Sequence, residues 1–352
     1  MRHAAGSVAI LLAATTALAA PPAPPPAGSG AALSDRTALL APIQVASLTL
    51  TPIIATGATD PAGDAMLTLD EAMAAHKVTI REIAGGTVNS LTFVNKAEQP
   101  VFLLAGEVII GGKQDRIIGR NTVIPASTTQ EVPVYCVEHG RWTVQTNEFA
   151  SARALAHGRL RAQASYAEQQ DVWNEVAAKN VARRTTSASD TYRRVAQQQS
   201  DGTLAGMEKQ VTAALSQIRA EDRSRMVGFA VALDGAVATV DMFGSPALFG
   251  KLETKLVRSY LTEAVDVRAR PNVKPPTASD VKAFMADADK ASESRSYDTG
   301  AADTTVNRGE RAFKAKVGYK RAPVARPANQ AAPPAAAATA AEPTVYENYQ
   351  VK

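Results

Sequence analysis

Apolar residues recur along this chain at two spacings, and the change between them divides it. In "IQVASLTLTPIIA" and "KVTIREI" apolar positions alternate with polar ones, the period of a half-buried strand. "TVNSLTFVN" and "QPVFLLAGEVIIG" read as two more strands, with Asn95 to Pro100 turning between them. Further strands are expected near Asn121–Pro125 and Glu131–Glu138. Among these, Thr68 and Glu71 fit a capping box that opens a short helix, Leu69 to His76. From Ala152 to Ala182 the chain is alanine-rich and polar, and reads as helix with Val172, Trp173 and Val176 on its apolar face. Leu204, Met207, Val211, Leu215 and Ile218 lie three and four apart, which predicts an amphipathic helix. Asp234-Gly235 between two β-runs predicts a hairpin with a type I′ turn. Ser245-Pro246 then starts a helix as N-cap and first residue, and Asp280–Ala291 is a further helix. The order predicts an α+β fold: a β-rich N-terminal half, a helical second half, a late hairpin and a following helix.

The ends carry no such pattern. "MRHAAGSVAILLAATTALAA" has a basic start, an apolar run from Val8 to Leu12 and a small-x-small site at Ala17-Leu18-Ala19. That is the form of a cleaved Sec-type signal peptide, residues 1–19, and places the mature chain in the periplasm or outside the cell. No later run suggests a membrane span after cleavage. Residues 20–38 are expected to be a Pro/Gly-rich linker, residues 39–317 the folded body, and residues 318–352 an Ala/Pro-rich disordered tail, with a short strand or a partner contact in the final "TVYENYQVK" as the alternative. The mature chain of about 330 residues can bury a large core. Its charge is near balance, +4 with Arg2 included and +3 without it. With 5% aromatic residues as well, stacking platforms are scarce and nucleic acid is not an expected partner. Oligomeric state is not encoded in any pattern found here.

One stretch, Gly106 to Trp142, is dense in groups that are costly to bury although it reads as strands. Alternation puts Glu107 in an apolar row with Val101, Leu103, Ala105 and Ile109. Val134, Cys136 and Glu138 share another face. Two carboxylates among apolar neighbours need cations, and Lys113, Arg116, Arg120 and Arg141 are at hand. The arrangement predicts one polar pocket built by Glu107, the Lys113–Arg116 loop and the Glu138–Trp142 turn. An ion-pair network that only pins loops is the competing reading. Gly111-Gly112-Lys113 is not a Walker A loop: the spacing from Gly106 is one residue too long, and Gln114 stands where a hydroxyl is required. A looser anion nest stays open. Cys136 is the lone cysteine, so it forms no intramolecular disulfide and is expected to be a buried core residue. Cys136 and His139 have the spacing of a ligand pair but lack a second pair, so neither a metal nor a cofactor is expected.

"LLAGEVIIGGKQDRII", "VPVYCVEHGRW", "VWNEVA" and "VDMFGSPALFGKLETKLVRSYLTEA" together resemble the ARPP domain over about Leu39 to Val267. That family is named for genes that accompany ADP-ribosylglycohydrolases, rhodanese-like and phosphatase-superfamily proteins. The resemblance implies that Glu107, Lys113, Gln114, Arg116, Cys136, Glu138, Arg141 and Trp142 belong to the family pattern. It implies no established reaction, only a role near ADP-ribose or phosphorylated nucleotides. Three functions follow as expectations. The first is a module that binds a small anionic ligand through Lys113, Gln114, Arg116, Arg141 and Trp142. The second is a hydrolase of a phosphorylated or ADP-ribose-like compound, with Glu107 or Glu138 as general base. The third is a non-catalytic envelope interaction protein.

Overall fold

The longest apolar runs become strands buried on both faces. Leu48–Ala55 is buried at every residue, and Met226–Leu233 at all but its last. A computed structural model gives the fold and describes residues 32–83, 87–290, 293–298, 302–320 and 343–352. Leu48–Ala55, Met226–Leu233 and Ala236–Phe243 pair antiparallel at the centre of a nine-stranded sheet. Asp234 and Gly235 have φ of 48° and 84°, as the type I′ hairpin turn requires. The 19-residue helix Pro246–Ala264 covers one face, with Ser245 capping the N–H of Leu248. Its Leu248, Phe249, Leu252 and Leu256 enter a core with Phe229 and Phe243. The helix Ala278–Asp289 covers the other face through Val281 and Ala288.

A second sheet of six antiparallel strands runs Ala150–Leu155, Glu107–Ile110, Arg116–Ile118, Thr129–Cys136, Ser90–Asn95 and Val78–Glu82. A third, of three strands, joins Thr122–Ile124 to Val101–Leu103 and, in parallel, Leu67–Thr68. The capping box at Thr68 and Glu71 forms, and the helix it opens is Leu69–Ala74. The α+β class is therefore as expected, with the β-rich half first.

Four local expectations need correction. Residues 101–110 are not one strand: they break at Leu104–Gly106 into strands of different sheets. Gly106 takes φ 91°, and the Glu107 carboxylate accepts the freed Leu104 N–H at 3.0 Å. Residues 150–155 are a strand, with helices Gly158–Tyr166 and Gln169–Arg183 only after it. Within the expected linker, Leu33–Arg36 forms a 3-10 helix and Leu33 is buried against Ile53 and Met242. The fourth correction is the largest. Thr344–Val351, expected inside a disordered tail, is a strand between Ala236–Phe243 and Ala312–Tyr319, buried at every residue but the last. Tyr346 and Tyr349 supply enough buried surface to order it. It follows an Ala/Pro tract whose composition hides it. Residues 1–31 and 321–342, which hold the expected signal and most of the tail, lie outside the described residues.

Helix Gly158–Tyr166 starts at His157, which is fully buried. The His157 backbone N–H donates to the Tyr192 hydroxyl at 3.1 Å, and Nδ1 lies 2.9 Å from the same oxygen. Nε2 lies 2.9 Å from Glu175 Oε1. A neutral imidazole satisfies all these contacts, and burial pushes its pKa down to about 3 against the pull of Glu263. Unfolding returns it to about 6.5, so the unfolded chain alone takes up a proton between those values. Stability should thus fall as pH drops through that window, by about 2 kcal/mol from pH 7.5 to pH 5. Urea denaturation at the two pH values checks this, and His157→Gln should lose that share of the dependence.

Candidate functional site

Three polar assemblies lie within or beside the Gly106–Trp142 stretch. The first holds Glu107, which is 1% exposed. Its Oε1 is 2.7 Å from Lys255 Nζ, and Lys255 also reaches Asp70 at 2.5 Å. Burial works against the Lys255 charge, but Glu107 and Asp70 outweigh it and raise its pKa. Asp70 in turn accepts from the Ser151 hydroxyl at 2.5 Å. This group ties the long helix to the second sheet.

The second assembly is folded around Asp115 and Glu138. Asp115 is fully buried and accepts from Gly111 N–H at 3.1 Å, Thr191 Oγ1 at 2.8 Å and Arg193 Nη2 at 2.6 Å. Glu138 Oε2 accepts from Asp115 N–H at 3.0 Å and from Arg141 Nε and Nη2 at 2.9 and 2.6 Å. Burial raises the Glu138 pKa, yet bonds from Arg141, Ser189 and the Asp115 amide more than reverse this and hold it low. Arg141 also donates to the carbonyls of Gly112 and Thr143, each at 2.8 Å. Gln114 Nε2 donates to Glu138 O at 2.7 Å. Gly112, at φ 50°, must be glycine, since a Cβ would lie 2.7 Å from Glu82 Oε1. The same Glu82 oxygen accepts the Lys113 N–H at 3.0 Å. The loop amides that an anion nest would use thus already hold the chain's own oxygens.

Arg116 is fully buried, donates to Gln114 O at 2.8 Å and has Glu82 at 3.9 Å. Cys136, its cross-strand partner, is 3% exposed, and burial raises its thiol pKa although Arg116 opposes this. Trp142 is 55% exposed, with Lys113 Nζ 5.3 Å from its ring centre. His139 packs edge-on to Trp173 at 4.6 Å. So Gln114, Asp115, Glu138 and Arg141 come together, Arg116 lies beside them, and Lys113 and Trp142 pair at the surface. Glu107 shares no partner with Glu138: the two acids belong to separate networks.

The third assembly is a cavity of about 350 Å³ that neither acid lines. Gly119 and Arg120, just past the strand Arg116–Ile118, form one side with Tyr135. The turn from Ala164 to Gln169 forms a second, and Arg295, Tyr297 and Thr304 a third. The Arg120 guanidinium lies on the Tyr297 ring, Cζ 3.2 Å from its centre. Among the described residues Arg120 has no ion pair with a carboxylate. Burial lowers its pKa, which Tyr297 and Tyr135 partly counter. Gln169 grips Cys136 by both backbone groups, at 2.9 and 2.8 Å, and Thr304 Oγ1 donates to Asn121 O at 2.7 Å. The sequence pattern had flagged Arg120 only as a carboxylate partner. Arg295 and Tyr297 were missed, because "ESRSYD" is exposed and weakly patterned.

Among the described residues no cluster of three or more His, Cys, Asp or Glu suits a metal ion. No described helix is long and apolar enough to cross a membrane. The model of the "ARG and Rhodanese-Phosphatase-superfamily-associated Protein domain" matches residues 36–326. No curated protein and no solved structure matches the chain.

Removing Arg141 strands the buried Glu138 carboxylate and the carbonyls of Gly111, Gly112 and Thr143. Arg141→Ala should cost about 3 kcal/mol of stability, whereas Lys113→Ala, at the surface, should cost less than about 0.5 kcal/mol. Chemical denaturation of the two variants checks the contrast.

Proposed function

The chain belongs to the ARPP domain family, and from that premise we propose that it is a binding module for a small anionic ligand seated beside Arg120. One observation carries this reading: of the two guanidinium groups that line the cavity, Arg295 is paired with Glu293, while Arg120 has an aromatic ring against it and no carboxylate partner among the described residues. Of the other arginines of the stretch, Arg141 is engaged by Glu138 and backbone carbonyls, and Arg116 is fully buried away from the cavity lining, bonded to Gln114 O with Glu82 at 3.9 Å. Arg120 and Arg295 line the cavity with a single carboxylate, Glu168, so its charge balance favours an incoming anion where water is partly excluded. The volume sits at the small end of ligand sites. Tyr135 and Tyr297 line the same cavity, where aromatic surface suits a ring carried by the same ligand. Phosphorylated sugars and diphosphates combine these features, in keeping with the enzymes for which the family is named.

On this reading the motif residues act as a frame. The Asp115–Glu138–Arg141 network fixes one end of the strand Arg116–Ile118, and Arg120 follows its other end. Glu107 and Glu138, the acids expected as general base, do not line the cavity; Glu168 is the carboxylate that does.

Inorganic pyrophosphate and ADP-ribose are the probes. A ligand at one hundred times its Kd should add about 2.7 kcal/mol of stability, read as a rise in Tm. Arg120→Met should weaken binding at least tenfold while the ligand-free Tm stays within about 3 °C, a change of less than about 1 kcal/mol. Equal binding by Arg120→Met, or loss of binding only in Lys113→Ala, would refute the seat.

A further inference from the structure

Two walls of the cavity touch where Tyr166 meets Phe313 edge-on at 5.2 Å and Arg308 lies 5.0 Å from the Tyr166 ring, and behind that contact both are tied to one buried charge pair. Arg161 lies in the helix Gly158–Tyr166 and Asp241 in the strand Ala236–Phe243, joined by Nη2–Oδ1 at 2.9 Å and Nη1–Oδ2 at 3.2 Å. Tyr260 donates to Oδ2 at 2.5 Å and Asn348 Nδ2 to Oδ1 at 2.7 Å. The Tyr346 hydroxyl accepts from Arg161 Nη2 at 2.9 Å and donates to Asp241 Oδ1. All five side chains are buried.

The first wall, Ala164 to Gln169, is the end of the Arg161 helix and the turn after it, and Ser165 Oγ donates to Arg161 O at 3.0 Å. The second wall comes from the strands Glu293–Asp298, Ala302–Arg308 and Ala312–Tyr319. Within the sheet these three reach the central strands only through Thr344–Val351, which carries Tyr346 and Asn348. Neither Arg161, Asp241, Tyr346 nor Asn348 lines the cavity. The C-terminal strand also lies beyond the residues that match the family.

We propose that Tyr346 and Asn348 are positioning residues for the cavity: by bridging to Arg161 and Asp241, the C-terminal strand holds these two walls at the spacing that their Tyr166 contacts complete. The proposal rests on the cavity's being the anion site, yet it can be tested apart from that reading. It also assigns this chain's own C-terminal segment a part in binding that the matched family region lacks.

The test uses the full chain with Tyr346→Phe, which keeps the ring and removes the shared hydroxyl. Asn348→Ala is the second variant. Hydrogen exchange without ligand should quicken at least tenfold, together, in residues 164–169 and 302–308, while the helix Pro246–Ala264 keeps its protection. The dissociation constant for inorganic pyrophosphate should rise at least tenfold. Exchange that quickens only in residues 344–351, or wild-type exchange in both walls of both variants, would overturn the proposal. If pyrophosphate fails to bind the unaltered chain, the anion reading falls, and the exchange result alone decides the positioning role.

Discussion

The ion pair between Arg161 and Asp241 is the constraint on which most of the molecule depends. Two charges at this depth carry a desolvation penalty that a single contact does not offset. Here the Asp241 carboxylate accepts from Arg161, Tyr260, Tyr346 and Asn348. Burial drives its pKa up, but Arg161 and the hydroxyl donors prevail and hold it low. The donors come from two helices and the C-terminal strand, so satisfying one carboxylate fixes the relative places of three elements. Gly106 belongs to the same requirement. A Cβ there would come within 2.5 Å of the Arg161 stem, so this glycine makes room for the arginine.

A second principle organises the motif-rich stretch. Its acids and bases neutralise one another instead of presenting charge to a ligand. Glu107 holds Lys255, Asp115 holds Arg193 and Glu138 holds Arg141. Each bond fixes a break or a turn where strand pairing stops, and backbone N–H groups would otherwise be orphaned. That accounts for so many costly groups in so few residues. It also isolates Arg120, which leaves the frame and meets an aromatic ring.

How much of this was legible beforehand varies with the kind of signal. The hairpin at Asp234-Gly235, the Ser245-Pro246 helix start and the Thr68–Glu71 capping box were readable because each depends on residues within four positions. The same locality misled at residues 101–110, where alternation continues across a break that only the Glu107 side chain reveals. The strand Thr344–Val351 was readable only as the lesser alternative to disorder, since its order comes from two strands it does not adjoin in sequence and from buried partners such as Asp241. The site was half legible. Density of polar residues found the frame, but spacing along the chain does not tell a cation matched by an acid from one that is not. Arg295 and Tyr297 reach the cavity from a strand that pairs with its sequence neighbour, at Val306 and Thr304, but its polar residues carry no apolar alternation to announce it.

The most direct measurement is a crystal structure of the full chain grown with inorganic pyrophosphate. The account predicts bound anion density in the cavity, within hydrogen-bonding reach of the Arg120 guanidinium, with the Gly111–Asp115 loop unchanged around its own carboxylates. An anion seated instead on the amides of that loop, with Glu138 or Asp115 displaced, would contradict it.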